Sequence, residues 1–287
     1  MSLSNNNNLP HHFDDIKMIC LDLDGTLLNS DKQLSERNRR ALTEAAARGI
    51  YIVPTTGRLA GALTPSVASL PFLRYVIAVN GAMISDVVTG ETLCREEIAN
   101  ADALRILSVL DDFPGIYDCY IDGCGYMNAE MLARAEKYTI DEHHLELVRS
   151  TRKPVDDLKR FVREKGCTVQ KSQIMFENRA VRDSVLPVIR ERLPEFLHSC
   201  TYVTNIEINS PRAHKGAGLE FLCRYLGIPT SSAMSFGDGS NDISMLQAAG
   251  VGVVMANADE DILPYGDLIA PSCDEDGVAQ ILEQYVL

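Results

Sequence analysis

The stretch Met18 to Thr26, MICLDLDGT, constrains this chain more than any other. Its first four residues, Met18 to Leu21, are apolar without a break, the pattern of a strand buried on both faces of a parallel sheet covered by helices. That strand runs straight into Asp22, Leu23, Asp24 and Gly25. Side chains alternate along a strand, so Asp22 and Asp24 are expected to point the same way at its carboxyl end. Two carboxylates ~4 Å apart repel by roughly 4 kcal/mol at an effective dielectric near 20. A cation between them, or a proton on one of them, is therefore expected. Gly25 permits the tight turn that follows, and Thr26 offers a hydroxyl and a backbone N–H just beyond it. Taken alone, the stretch also fits a solvated Asp-Gly loop after an ordinary strand.

At 287 residues and 46% hydrophobic content, the chain can bury a sizeable core in one large domain or two smaller ones. Its 27 basic against 40 acidic residues give a net charge of −13, which argues against nucleic acid or an anionic membrane surface as a partner. No apolar run approaches the ~20 residues of a membrane span. None of the eight cysteines is spaced as CxxC, the nearest pair being Cys119 and Cys124, and no His/Cys cluster has structural zinc spacing. Cys20 in the first strand and Cys223 in a helical stretch behave as reduced core cysteines, which predicts a reducing, cytoplasmic compartment. The start, MSLSNNNNLPHH, is polar and lacks the basic-then-apolar order of a signal peptide. Residues 1–14 are expected to form a disordered lead-in, with His11 and His12 as tail residues.

Along the chain, LSERNRRALTEAAARG predicts a helix capped by Ser35 and closed at Gly49. Ile50 to Val53 and Tyr75 to Val79 read as buried strands, ending in PTTGR at Pro54–Arg58 and in Asn80–Gly81. Strand–helix units of this kind argue for a parallel α/β sheet, in which ligands bind beyond the carboxyl ends of the strands. Between Met83 and Arg95 the pattern changes to a hairpin turning at Thr89 and Gly90. From there to about residue 204 helical pieces, at Ala101 to Leu110 and Val155 to Lys165, alternate with strands at Ile174 to Glu177 and Cys200 to Val203. The expected organisation is a sheet domain of residues 1–84 and 205–287 interrupted by an inserted α+β domain of residues 85–204. The first pattern resumes with a helix from Lys215 to Leu226 closed by Gly227, then a strand Ser232 to Phe236 delivering GDGSND at Gly237–Asp242. Asn241 or Asp242 can cap the helix Ile243 to Ala249. Strands Val251 to Met255 and Leu268 to Ala270 and a helix Gly277 to Val286 complete the chain.

The strand ends bearing Asp22 and Asp24, Thr56, Asn80, Asp238 and Asp242, and Asn257 converge in principle on one edge of the sheet. Several carboxylates there, without cysteine or histidine, form a hard oxygen set suited to Mg²⁺. An EF-hand is excluded because Leu27 and Ile243 stand where its glycine is required and no glutamate stands twelfth; a Walker A loop and GxGxxG are missing too.

In order and spacing, DLDGT, TGR, a lone Lys215 before a glycine-containing helix, and GDGSNDISML resemble the haloacid dehalogenase-like phosphohydrolases. VNGA at Val79–Ala82, the long insert and DEDGVAQIL at Asp274–Leu282 resemble the Cof-type branch, which carries a class IIB cap. The likeness extends over nearly all of the chain from Ile16 onward, while the insert carries little of it. It implies a doubly wound, Rossmann-like parallel-sheet core with an inserted cap, and a Mg²⁺-dependent phosphatase acting on a small phosphorylated metabolite. It further implies Asp22 as nucleophile, Asp24 as acid and base, and Lys215 as the balancing cation. Mg²⁺ would sit on Asp22, the Asp24 backbone carbonyl and Asp238, with Asp242 supporting Lys215 or metal waters. Thr56, Gly57, Asn80 and Asn241 would contact the phosphate.

Each assignment has a plainer competitor. Lys215 could be a solvated residue of a helix's first turn, and Asp238 and Asp242 mere caps. Thr56 could be turn chemistry, with Thr55 competing for its role; Arg58 could be structural or face substrate, and Asn80 could simply fix its turn. His143, His144, His198 and His214 read as surface or core residues. A phosphomutase, or a non-catalytic metabolite-binding protein of the same fold, are the alternative functions; oligomeric state is open.

Overall fold

In the computed structural model, which describes residues 13–287, Met18–Leu21 is the fourth of five parallel strands, in the order Leu268–Ala270, Val251–Met255, Ala233–Gly237, Met18–Leu21, Tyr51–Pro54. Residues 1–12 of the expected lead-in, with His11 and His12, lie outside the described residues. The same expectation included Phe13, but Phe13 opens a short 3-10 turn, Phe13–Asp15, and its ring packs on Tyr285 with centroids 4.7 Å apart.

Alternate residues of the strand Met18–Leu21 enter opposite layers. Ile19 and Leu21 pack with Leu42 and Ala45 of the helix Glu36–Ala47 and with Val278 and Leu282 of the helix Gly277–Tyr285. Met18 and Cys20 pack with Leu219, Leu222 and Cys223 of the helix Lys215–Leu226 and Met245 of the helix Ile243–Ala248. The core is thus covered on both faces, as expected of a doubly wound sheet. Full burial of such apolar side chains contributes about 1.5–3 kcal/mol each. Ser35 caps its helix by accepting from the Asn38 N–H, and Gly227 closes the other in the left-handed conformation.

Tyr75–Ala78 touches the parallel sheet through a single bridge, Thr55 to Ile77, and then pairs antiparallel with Met83–Asp86, which pairs with Glu91–Arg95. This hairpin packs through Leu93 and Cys94 against the core layer. A separate six-stranded sheet follows, in the order Leu197–Ser199, Asn205–Asn209, Lys171–Met175, Ile116–Ile121, Cys124–Asn128, Arg152–Val155. The joints therefore fall near residues 96 and 210 rather than near 85 and 205. The hairpin stays with the core because its inner side chains finish that layer, and Asn205–Asn209 belongs to the insert because it pairs with Lys171–Met175.

Two local expectations are corrected. Cys200–Val203 is a turn, since the Asn205 side chain accepts from the Thr201 and Tyr202 N–H groups and bends the backbone there. The helix expected from Val155 begins at Leu158, where Asp157 caps it; Arg152–Val155 is a strand.

One face of the six-stranded sheet is apolar, placing Tyr117, Cys119, Ile174, Ile206 and Ile208 against Ala103, Leu107, Val162 and Ile189. On the alternate positions stand Asp118, Tyr120, Lys171, Gln173, Asn205, Glu207 and Asn209, all buried. A buried polar layer on one face of a sheet requires partners for every group, and several are supplied by the core.

Candidate active site

From the central strand the chain goes first to Tyr51–Pro54 on one side and later to Ala233–Gly237 on the other. Such a reversal opens a crevice at the carboxyl end of the central strand. Two glycines let the loops close over it. Gly25 has φ +88°, and a Cβ there would stand 2.3 Å from Asp238 Oδ2; a Cβ on Gly237 would stand 2.4 Å from that of Asp242.

Lys215, the first residue of its helix, is fully buried and donates from Nζ to Asp22 Oδ1 and Asp242 Oδ1, both at 2.5 Å. The plain reading of Lys215 as a solvated helix residue is thereby excluded. Asp242 occupies the N-cap position of the helix Ile243–Ala248, yet its side chain does not cap that helix. Its Oδ2 accepts instead from the Asp238 and Gly239 N–H groups at 3.0 and 2.9 Å, which shapes the GDGSND loop. Thr26 Oγ1 donates to Asp238 Oδ1 at 2.6 Å.

Oxygens of Asp22, Asp238 and Asp242 lie within 4.8 Å of one another. One ammonium against three carboxylates leaves an excess of negative charge. Burial and the neighbouring Asp242 and Asp238 charges push the Asp22 carboxyl well above its ordinary value despite Lys215. Asp238 is pushed up to about 7, by burial and then by Asp242. Lys215 is lifted in turn: burial opposes its charge, but Asp22 and Asp242 more than offset that. An oxygen-only donor set with charge to spare fits a hard divalent cation such as Mg²⁺.

The second aspartate has different company. Arg58 donates from Nε to Asp24 Oδ2 at 2.7 Å and from Nη2 to Oδ1 at 2.6 Å, and Lys32 adds an ion pair at 3.1 Å. Burial alone would raise Asp24; Arg58 and then Lys32 outweigh it and hold the carboxyl below its ordinary value. The expected cation beside the aspartates is therefore supplied to each one separately. The strand ends at Leu21, so the alternation that would align Asp22 with Asp24 does not continue through them.

Asp22, Asp24, Thr56, Gly57, Asp238 and Asn241 all line a cavity between the core and the insert. Thr56 faces it with its N–H bound to the Ile77 carbonyl at 2.9 Å, whereas the Thr55 hydroxyl turns inward to the Val53 carbonyl. Asn80 does not line the cavity. Its carboxamide lies behind the loops, accepting from Asn241 Nδ2 at 3.1 Å and donating to Glu207 Oε2 at 2.6 Å. Asn257 is also outside: it donates to the Gly25 carbonyl and accepts from the Cys273 N–H, bracing the aspartate turn.

The insert supplies the opposite wall, with Tyr120, His144, Arg152, Lys171, Glu207 and Tyr202 among its residues. Arg152 pairs with Asp118 and donates to the Tyr120 hydroxyl, and Lys171 pairs with Glu207. His144, read from sequence as surface or core, is a buried wall residue stacked on Tyr202 with ring centroids 4.1 Å apart. Burial, then the Arg152 charge, lowers its imidazole to about 4, so it is neutral at pH 7. His214 caps the Lys215 helix by accepting from the Ala217 N–H. The one sequence signal for this wall was the alternation Asn205–Ile206–Glu207–Ile208–Asn209, polar on every second residue of a buried strand.

All eight cysteines are free, and no helix among the described residues is long and apolar enough to cross a membrane. A family model described as haloacid dehalogenase-like hydrolase matches residues 19–282. The chain is 32% identical to Phosphatase YwpJ of Bacillus subtilis, covering 93% of this chain and 99% of that one. It is 29% identical to the 5-amino-6-(5-phospho-D-ribitylamino)uracil phosphatase YcsE of the same organism, over 95% of this chain and 97% of the other. Its fold superimposes on a solved haloacid dehalogenase-like hydrolase from B. subtilis with a TM-score of 0.81 at 28% identity, covering 95% of this chain and all of the other.

Proposed function

Since the chain belongs to the haloacid dehalogenase-like hydrolases, in their Cof-type branch, and is a phosphoric monoester hydrolase, we propose that it cleaves a small phosphorylated metabolite with Mg²⁺ through an aspartyl-phosphate on Asp22. The observation that carries this reading is the buried contact of Lys215 with Asp22 and Asp242 beside Asp238, at the floor of the cavity.

A carboxylate oxygen of Asp22 would form a bond to phosphorus as the bond from phosphorus to the leaving oxygen breaks. Asp24 would give that oxygen its proton. A water would next attack the same phosphorus, losing its proton to Asp24 while the Asp22–phosphorus bond breaks and restores the carboxylate. The Arg58 and Lys32 contacts favour the Asp24 carboxylate, the form that accepts a proton from water. For the first step Asp24 must carry a proton, so substrate binding has to loosen that grip.

A phosphate dianion ~4 Å from Asp22 feels roughly 8 kcal/mol of repulsion at an effective dielectric of 20. Lys215 offsets part of it and favours the ionised form of Asp22 that attacks, against the opposing effect of burial. Mg²⁺, held by Asp22, Asp238 and the Asp24 backbone carbonyl, would supply two further positive charges next to the transferring phosphoryl group. Thr56, Gly57 and Asn241 line the same cavity and would contact the phosphate.

The insert would cover the reacting group and contact the remainder of the substrate. Its wall pairs Arg152 with Asp118 and Lys171 with Glu207, leaving no net charge among these four. That favours an uncharged, hydrogen-bonding leaving group, as in a sugar or polyol phosphate. One relative is named for a phosphoribityl compound, which is of this kind.

The test is phosphate release from a panel of phosphomonoesters with Mg²⁺ and with chelator, for the wild type and Asp22→Asn. Turnover that requires Mg²⁺ and vanishes in the variant is expected. Activity surviving in Asp22→Asn would remove Asp22 as nucleophile.

A further inference from the structure

One buried chain of polar contacts joins the insert to the core, and the reaction described above gives its two charged members no task. Lys171 and Glu207 are 1% and 2% exposed and stand on neighbouring strands of the six-stranded sheet. Lys171 Nζ donates to Glu207 Oε1 at 2.5 Å and also to the Gly57 backbone carbonyl at 3.1 Å. The other Glu207 oxygen accepts from Asn80 Nδ2, and Asn80 Oδ1 accepts from Asn241 Nδ2. The insert thus grips the Thr56–Arg58 loop at one point and, through Asn80, the loop that carries Asn241 at another.

The backbone at these points is held from several sides. Val79 and Asn80 have φ of +52° and +56°, a region that a β-branched residue enters only when its surroundings impose it. The Asn80 N–H donates to the Thr56 carbonyl at 3.0 Å, and the Thr56 N–H to that of Ile77. A Cβ on Gly57 would come 3.0 Å from Asn80 Oδ1, so the two loops are in contact. Stability is a poor reason for a buried Lys–Glu pair, because apolar residues of the same volume generally serve as well or better. The bond from Lys171 to the neutral Gly57 carbonyl fixes a position and cancels no charge.

We propose that Lys171 and Glu207 are positioning residues for the phosphate subsite. Seated together they fix the Gly57 carbonyl and the Asn80 carboxamide, and through these the Thr56–Gly57 backbone and Asn241. The subsite is then complete only when the insert is docked on the core. The activity half of this proposal rests on the Asp22-centred reading; the backbone half does not.

The test uses the full chain as wild type, Lys171→Met, Glu207→Gln and the double variant Lys171→Met/Glu207→Gln. Hydrogen exchange of the Thr56, Arg58 and Asn80 amides is measured without substrate. Turnover of acetyl phosphate is measured with Mg²⁺, since its leaving group is too small to depend on the far wall of the cavity. In Lys171→Met and in the double variant those amides should exchange at least tenfold faster than wild type, and kcat/KM should fall about tenfold to a hundredfold. The double variant removes both charges, so a pair that only neutralises itself would let it return to wild-type exchange and turnover; that return would overturn the proposal. Should Lys171→Met and the double variant not fold, Glu207→Gln decides, because it keeps the volume of the side chain while disturbing the contact with Asn80: unaltered Asn80 exchange in it overturns the proposal, and faster exchange supports it. A wild type that cannot turn over acetyl phosphate would count against the phosphatase reading, and the exchange comparison would still decide the positioning role.

Discussion

Replacing Asp238 by asparagine isolates the electrostatics of the site in one measurable slope. In the native protein this carboxyl is pushed up to about 7 from an ordinary value of 3.8, by burial and by the charge of Asp242. Between pH 4 and 7 the folded protein therefore keeps a proton that the unfolded chain has released. Unfolding loses protons in that window, so this group makes stability fall as pH rises. Three pH units at 1.36 kcal/mol each set the ceiling at about 4 kcal/mol. The carboxamide introduced by Asp238→Asn retains an oxygen for the Thr26 hydroxyl and cannot ionise. In chelator, Asp238→Asn should match wild type near pH 4 and lead it by as much as about 4 kcal/mol at pH 7. The lead is smaller to the extent that Asp22 shares the proton. Mg²⁺ at 100 times its Kd should return about 2.7 kcal/mol to the wild type and far less to the variant. Urea unfolding at pH 4, 5.5 and 7, with chelator and with Mg²⁺, reads both effects. A wild-type-to-variant difference that stays flat from pH 4 to 7 would refute the reasoning, and equal stabilisation of both proteins by Mg²⁺ would take Asp238 out of the metal site.

Gly25→Ala adds left-handed strain of about 1–2 kcal/mol and pushes a methyl into Asp238, so kcat/KM should fall about a hundredfold. Gly49→Ala, at φ +83° with nothing within 4 Å, carries the strain alone and should leave turnover intact; equal losses in the two would discredit the close-approach argument. Lys215→Met strands buried carboxylates and should cost about 3 kcal/mol at pH 7. The loss should be smaller at pH 5, where Asp238 takes up a proton, with kcat lower by about a thousandfold. Turnover should also favour neutral sugar and polyol monophosphates over substrates with a second phosphate, measured as kcat/KM across a matched pair, because the insert's wall has no net cation to offer among Arg152, Asp118, Lys171 and Glu207.

The core was legible because its signals are local. Four consecutive apolar residues at Met18–Leu21, the Ser35 cap and the Gly227 stop each act within one turn or strand, and each appears where the pattern puts it. Asp22, Asp238 and Asp242 could be named because strand ends in a parallel sheet share one edge, whereas Lys215, at the start of a helix, was named only through the resemblance to a family; the structure brings the four together. The joints were misplaced because the hairpin Met83–Arg95 and the strand Asn205–Asn209 owe their membership to pairing partners that no local pattern reveals. Arg58 was left between two roles because its reach to Asp24 depends on how the Thr56–Arg58 loop turns. The insert's wall escaped for a related reason. Polar residues in a strand usually face water, and only the docking of a second body turns Lys171 and Glu207 inward.

The order of strands in the parallel sheet also bears on how the molecule is made. Thr26 and Asp238 are 212 positions apart, and the central strand's neighbour on that side, Ala233–Gly237, is equally remote. At roughly 5–20 residues per second, synthesis leaves the edge of Met18–Leu21 waiting on the order of 10–40 s for its partner. During that interval the six-stranded insert emerges whole, while the half-built core presents an open, apolar strand to solvent or to a chaperone. The nascent chain therefore has no working centre until its final quarter arrives, and its period of greatest danger from aggregation falls before it can act at all.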